Sequence, residues 1–545
     1  MKRNRIKRIA FVFLIVSSAG LPAAAQTTAS MDATADNGSG NAVTLTLDEA
    51  IQLALVKAYV LRDERLNVAN ARAQVKEGWG LLMPQVDASS SYTRNLKTAN
   101  PFAGSQAGGL FSTLGFLNWL SFNEQARTDS DPTTIPITVD EFLRRQQEGL
   151  DAINYNPDTG GNLFSVANQA NATISVTQKL LDMRAILGAS GASKYLKSLA
   201  DAGLQRQEQL TIDEVQRAYY DALLAQKNAD VVRQSAERTR VTRDETAQRV
   251  AQGILPKYER LSAEVELSNL ESNLVRSVSQ ARAAVDQLKF VVGIPATQNV
   301  RLGTNLDPEV KGDFVKVSAS DAVQAALDRR GDLEAARLNI GLGEVQRKAA
   351  VAAYFPTIDA VFNIGYVGSV PTQRTNAIAD PNDPFSFTLQ SNGFFSDAYW
   401  DRVSSVGLRL NWNLFNGFQS KARLQQQTIA LDRARLQYEQ LRESVTIEIQ
   451  NAIRNVEAAR IQIASQERNV DRAELNYQYA SSRLNEGVAS RLDERQASNL
   501  LDQSRLSYFQ AVHDYLVAQS ALNTAIGSSP GAVTRLNLTA NTESN

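Results

Sequence analysis

The sequence predicts an α+β membrane protein built from a duplicated helix-strand-strand-helix repeat. Three observations carry this. The chain aligns with itself, four short segments alternate between apolar and polar residues, and two long stretches, 186–252 and 420–486, keep a helical period throughout.

The self-alignment comes first because it sets the domain plan. Glu49 to Asp87 matches Asp321 to Asp359 without a gap at an offset of 272 residues. It pairs Ala50 with Ala322, Gln52 with Gln324, Leu55 with Leu327, Arg65-Leu66-Asn67 with Arg337-Leu338-Asn339, and Pro84 with Pro356. A second alignment, at an offset of 234, pairs Gln216 with Gln450, Gly253 with Gly487, Leu267 with Leu501, and Gly293 with Gly527. The 38 extra residues of the first copy fall between Leu96 and Ala170, a stretch rich in Gly, Asn, Ser and Pro with no sustained period. It is expected to be a long surface loop (96–170), answered by a shorter one from Pro371 to Trp400. The expected domains are a first repeat over 45–293, a linker over 294–319, a second repeat over 320–527 and a polar tail over 528–545.

The first residues, MKRNRIKRIAFVFLIVSSAGLPAAAQ, carry five basic side chains, an apolar run from Ile9 to Val16, and Ala23-Ala24-Ala25 before Gln26. This is the pattern of a secretory signal peptide cleaved after Ala25, leaving a flexible segment over 26–44. The apolar run is far shorter than the ~20 residues a membrane-spanning helix needs. Without Lys2, Arg3, Arg5, Lys7 and Arg8 the chain holds 52 basic residues against 58 acidic ones, a net charge of −6, and nothing suggests a nucleic-acid partner. There are no cysteines, which excludes disulfides and a thioether lipid anchor. With no later segment resembling a membrane helix, contact with a membrane core would have to come from β-strands.

Strands are expected at about 86–94, 171–180, 357–368 and 404–415. The clearest is VGLRLNWNLF, in which Val406, Leu408, Leu410, Trp412 and Leu414 share one face, and Gly407, Arg409, Asn411 and Asn413 the other. Such alternation suits a wall between lipid and water; taken alone, it suits a small half-buried soluble sheet equally well. Tyr92, Tyr366, Trp400 and Trp412 lie on or beside these strands, where either an interfacial belt or ordinary packing would place them.

Each long helical stretch would extend about 100 Å at 1.5 Å per residue, and the short ones about half that. Two short helices stacked end to end would match one long one, giving a bundle of uniform height. Gly253, with Pro256 three residues on, and Gly487 interrupt the helical pattern and mark the points where a long helix reverses into a short one.

In this order and duplication the chain resembles the TolC-type outer membrane efflux and secretion channels over about Leu45 to Gly527. The likeness rests on LTLDEAIQLAL, on the LMPQVD and YFPTID corners, and on LNWNLFNGFQSKARL leading into a long helix. The resemblance implies a homotrimer in the outer membrane of a Gram-negative bacterium, whose three chains form a twelve-stranded β-barrel continued by a long periplasmic α-helical barrel. Counting agrees, since four strands cannot close a barrel and about eight is the practical minimum. It also implies that the hairpin tips, Gly253-Ile254-Leu255 and Gly487-Val488-Ala489, meet a periplasmic adaptor protein, and that carboxylates matching Glu259 and Asp493 ring a closed entrance. The alternative for these two acids is ordinary solvated charge in a first helical turn. The chain departs from the best-known members at Gln496, where they carry a second acid, and at Leu484 and Ala489, where some carry a locking tyrosine and arginine. Arg483, Glu486, Arg491, Glu494 and Arg495 could form a substitute ion-pair network, although solvated helix faces are expected for most of them.

The implied function is a passive exit channel working with an adaptor and an inner-membrane pump, with type I protein secretion as the alternative and a periplasmic coiled-coil scaffold as the remote one. No nucleotide-binding loop is present and no cofactor or metal is expected. His513, the single histidine, lies in a helical segment without evident catalytic partners and is expected to pack or hydrogen-bond.

Overall fold

The computed structural model describes residues 43–96, 107–130, 134–155, 166–306 and 318–527. The expected signal peptide with its cleavage at Ala25, most of the 26–44 segment, and the polar tail lie outside these residues.

In the first repeat, β1 (Val43–Leu45) leads into α1 (Leu47–Lys57) and α2 (Tyr59–Gly80), followed by β2 (Gln85–Arg94), α3 (Ala107–Thr128), α4 (Val139–Ala152) and β3 (Asn168–Leu181). The short α5 (Met183–Ile186) and a π-helical turn (Leu187–Ala192) open the long α6 (Ser193–Ala251), which reverses into α7 (Lys257–Val292) and β4 (Val300–Leu302). The second repeat runs α8 (Ala319–Arg329), α9 (Gly331–Val351), β5 (Thr357–Val370), β6 (Thr375–Asp380), β7 (Asp383–Ser391), β8 (Trp400–Asn411), α10 (Gln419–Asn485) and α11 (Arg491–Ile526).

The ends of these helices are specified locally. Thr46 caps α1 and Glu49 reaches back to the Thr46 backbone, a reciprocal pair that holds the Glu49 carboxyl below its ordinary range through the backbone N–H and hydroxyl of Thr46. At the far ends of α7 and α11, Gly293 (φ 81°) and Gly527 (φ 75°) take left-handed caps. A Cβ on Gly293 would lie 2.5 Å from the Lys57 carbonyl oxygen, and one on Gly527 3.1 Å from the Arg329 carbonyl carbon. Each α1–α2 or α8–α9 break is therefore seated against the glycine cap of its own repeat. The stretches read from sequence as single helices, 47–82 and 321–354, are therefore divided, the first at Ala58 with no glycine or proline to mark it and the second at Arg330, directly before Gly331.

The helices α6 and α10 form the long rods. α6 packs against α7 along one part of its length and against α2 and α1 along another, as α10 packs against α11, α9 and α8. Two apolar clusters fill this bundle. One gathers Leu61, Val215, Tyr219, Leu288 and Val512, and the other Ala326, Leu333, Val445, Ile449 and Ile526. The Tyr219 hydroxyl donates to the Leu45 carbonyl at 3.0 Å, fastening β1 to α6. β1 and β4 pair in parallel, a three-residue contact too short to show in a pattern.

Four strands form one antiparallel sheet in the order β2-β3-β5-β8, joined across the repeats by β3 and β5. The register aligns Val86, Val176, Phe362 and Val406 in one row and Asp87, Ser175, Asn363 and Ser405 in the next. Successive residues of a strand point to opposite faces, so these rows give the sheet one apolar and one polar face. Val406 is 83% exposed. β2 and β8 are the open edges.

The segments expected to be irregular contain structure. α3 and α4 stand in the 96–170 loop, and β6 pairs with β7 as a hairpin between β5 and β8. Phe122, Phe142 and Phe385 bind the two insertions together, with ring centroids 5.3–5.6 Å apart. A Cβ on Gly149 would collide with the Phe385 carbonyl, so α4 meets the hairpin backbone directly. No helix among the described residues is long and apolar enough to cross a membrane, which says nothing of the sheet.

Candidate functional site

The two helical reversals share one geometry. After α6, Gly253 takes φ 77° and the amides of Ile254 and Leu255 return to the Arg249 carbonyl; after α10, Gly487 takes φ 80° and those of Val488 and Ala489 return to the Arg483 carbonyl. Ile254 and Val488 occupy the same place in the two turns, and each is 65% exposed. Leu255 and Ala489, next in line, are half-buried.

The residues beyond the turns differ. Ser490 caps α11, and the Asp493 carboxylate accepts from the Ser490 N–H at 2.9 Å and from its hydroxyl at 2.8 Å. Those two bonds, the backbone one first, hold the Asp493 carboxyl below its ordinary range. In the first repeat the corresponding residue is Pro256, which has neither hydroxyl nor N–H, so Glu259 cannot form that box. Glu259 instead lies half-buried in a cleft of about 300 Å³ between the α6–α7 and α10–α11 hairpins.

The cleft brings Glu259 together with Glu494, Glu266, Arg491 and Arg495, whereas Asp493 and Gln496 are outside its lining and exposed. This corrects the expectation for Glu494. It is half-buried, and burial first, with the nearby charge of Glu245 adding to it, pushes its carboxyl above the ordinary range against the pull of Arg491. Arg495 reaches Glu266 at 3.5 Å across the hairpins, and Arg238 is paired with Asp502 while standing 6.0 Å from the Tyr477 ring. These partners were not read from the sequence because each pair joins the two repeats at a separation no local pattern records. His513 also bridges the repeats: Nε2 lies 2.7 Å from an Asp221 carboxylate oxygen on α6 and Nδ1 3.1 Å from Asp514.

Residues 322–528, nearly all of the second repeat, match the family described as outer membrane efflux protein. That match makes the second repeat similar to outer membrane efflux proteins. The internal duplication extends the same plan to the first repeat. BepC, an outer membrane efflux protein of Brucella suis biovar 1, is 24% identical over 335 residues, 59% of this chain and 64% of its own length. The chain is thus aligned with less than two thirds of that relative. In fold the likeness is broader. The Campylobacter jejuni CmeC outer membrane channel superposes with a TM-score of 0.64 at 14% identity, over 91% of this chain and 88% of that one. The open state of the Neisseria gonorrhoeae MtrE outer membrane channel gives 0.60 at 16%, over 88% and 89%. An outer membrane efflux protein is a transport protein, and the family is not one of enzymes.

Proposed function

We propose that three copies of this chain close a twelve-stranded barrel in the outer membrane and that their long helices form a periplasmic tunnel, the passive exit duct of a tripartite efflux pump. The observation that supports this most is the sheet, which has one apolar face, one polar face and two unpaired edges, β2 and β8. Four strands cannot enclose a lumen, and an open edge in lipid leaves backbone groups without partners; joining β8 of one copy to β2 of the next removes both problems. Twelve strands suffice.

In this reading the exposed Ile254 and Val488 turns dock onto a periplasmic adaptor, which links the duct to an inner-membrane pump. Glu259 and Asp493 stand near the tunnel entrance and favour cations there, with Glu494 behind them. The mass of the complex purified in detergent tests the assembly, with three chains expected, and cross-linking from the tips tests the partners. A monomer that inserts into bilayers and conducts would overturn the shared barrel.

A further inference from the structure

Within one chain the two repeats meet where α6 of the first packs on α11 of the second. The contact is specific. Arg505 on α11 donates to Gln234 Oε1 at 3.4 Å, His513 Nε2 stands 2.7 Å from Asp221, and the Lys227 ammonium lies 5.7 Å from the Phe509 ring centroid. The offset of 234 residues that relates the repeats turns α6 into α10 and α11 into α7. Each of these contacts therefore has an equivalent, with one member on α10 and the other on α7.

The equivalents are complementary. Arg505 and Gln234 become Glu271 and Arg468, opposite charges that are exposed and have no ion-pair partner among the described residues. Phe509 and Lys227 become Val275 and Ile461, two aliphatic side chains 73% and 68% exposed. His513 and Asp221 become Ser279 and Asn455, which can again exchange a hydrogen bond. The sheet obeys the same operation. β2–β3 and β5–β8 share one register, with Gln85 opposite Thr177 and Thr357 opposite Asn411. The Ile174–Ile364 pair of β3 and β5, shifted by the two offsets of 234 and 272 residues, becomes Leu408 opposite Tyr92 and lays β8 along β2 with apolar residues on the same face. We propose that the seam between copies repeats the seam between repeats: α7 of one copy packs on α10 of the next, with Glu271 paired to Arg468 and Val275 packed on Ile461. This names the partner surface for the assembly proposed above and rests on that reading. An ion pair at a wet surface adds little affinity, so Glu271 and Arg468 act to fix the register, while the aliphatic pair supplies the burial.

The chain has no cysteine, so two introduced thiols report on one contact. A disulfide requires Cα atoms within about 7 Å of each other. Val275→Cys with Ile461→Cys, oxidised in the purified full chain and then denatured, should give covalent oligomers of up to three chains. Val275→Cys with Ile447→Cys, displaced about 21 Å along α10, should give none. Glu271→Arg should lower the yield of the first pair about threefold, and adding Arg468→Glu should restore it. A yield unmoved by Glu271→Arg would overturn the ion pair. A complex with the mass of three chains but no cross-link from the first pair, or equal cross-linking from both, would overturn the seam and leave the three-copy channel standing. Covalent oligomers of another number would keep the seam and overturn the threefold closure, and a monomer would overturn both.

Discussion

Ser490 and Asp493 cap each other: the carboxylate takes two hydrogen bonds from Ser490, and the Asp493 N–H returns one to the Ser490 hydroxyl at 3.2 Å. Ser490→Ala should therefore fray the first turn of α11. Amide exchange at Asp493 and Glu494 is expected to quicken severalfold at neutral pH, with the rest of α11 unaffected. The Asp493 carboxyl is depressed in the folded chain, so its contribution is present above the ordinary carboxylate range and is lost as pH falls through the folded value. The difference between wild type and variant should shrink over that acid window.

The two acids beside each other on α11 titrate in opposite directions, Glu494 raised by burial and Asp493 lowered by its cap. In planar bilayers we expect low-conductance, cation-selective openings blocked by trivalent cations from the periplasmic side. Acidification should relieve the block in two stages, Glu494 losing its charge before Asp493. Glu494→Gln should remove the stage at higher pH, and Asp493→Asn with Glu259→Gln should weaken selectivity further. Selectivity and block unchanged in the triple variant would place the constriction elsewhere.

Across the sheet, neighbouring positions should respond oppositely to charge. Val406→Arg puts a guanidinium on the apolar face, at a cost of about 2–4 kcal/mol if it lies near the bilayer midplane. Ser405→Arg, in the adjacent polar row, should be tolerated. Denaturant unfolding from liposomes reads both, and equal losses would mean the faces are misassigned.

Gly487 has φ 80° but open space around its missing Cβ, so a large side chain fits and strains only the backbone, by about 1–2 kcal/mol. Gly487→Trp should leave the assembled complex intact while reducing cross-linking to the adaptor. Docking that survives tryptophan at both Gly253 and Gly487 would remove the tips from the interface.

Gly293 presents the opposite case. Its left-handed cap is combined with a contact of 2.5 Å to the Lys57 carbonyl from any added Cβ. Gly293→Ala should cost more than the strain alone, about 2 kcal/mol or above, and lower the melting temperature further than Gly253→Ala does.

Much of this arrangement can be read from residues in order. Gly253 and Gly487 stand where the chain reverses, and the alternation of Val406, Leu408 and Leu410 is the same in the sequence and in the sheet. Other features are written in the sequence without standing out. Ser490 and Asp493 have capping-box spacing, and the cap is compatible with the gate role that the resemblance implies for Asp493. α3 contains GGLFSTLGFLNWLSF, with hardly a polar face, so no helical period showed. Glu494 is half-buried by a hairpin from the other repeat, and Arg238 meets Asp502 264 residues away. Contacts of that kind follow from how the repeats face each other, which period and composition do not encode.

The unequal caps at Pro256 and Ser490 also bear on stoichiometry. Both turns offer the same glycine and exposed aliphatic side chain, but only one is followed by a hydroxyl and a locked carboxylate. In a trimer, an adaptor that grips the aliphatic tip alone would find six equivalent sites, whereas one that also reads the cap would find three. Counting adaptors per channel, first on the wild type and then after Pro256→Ser, would show which part of the turn is recognised.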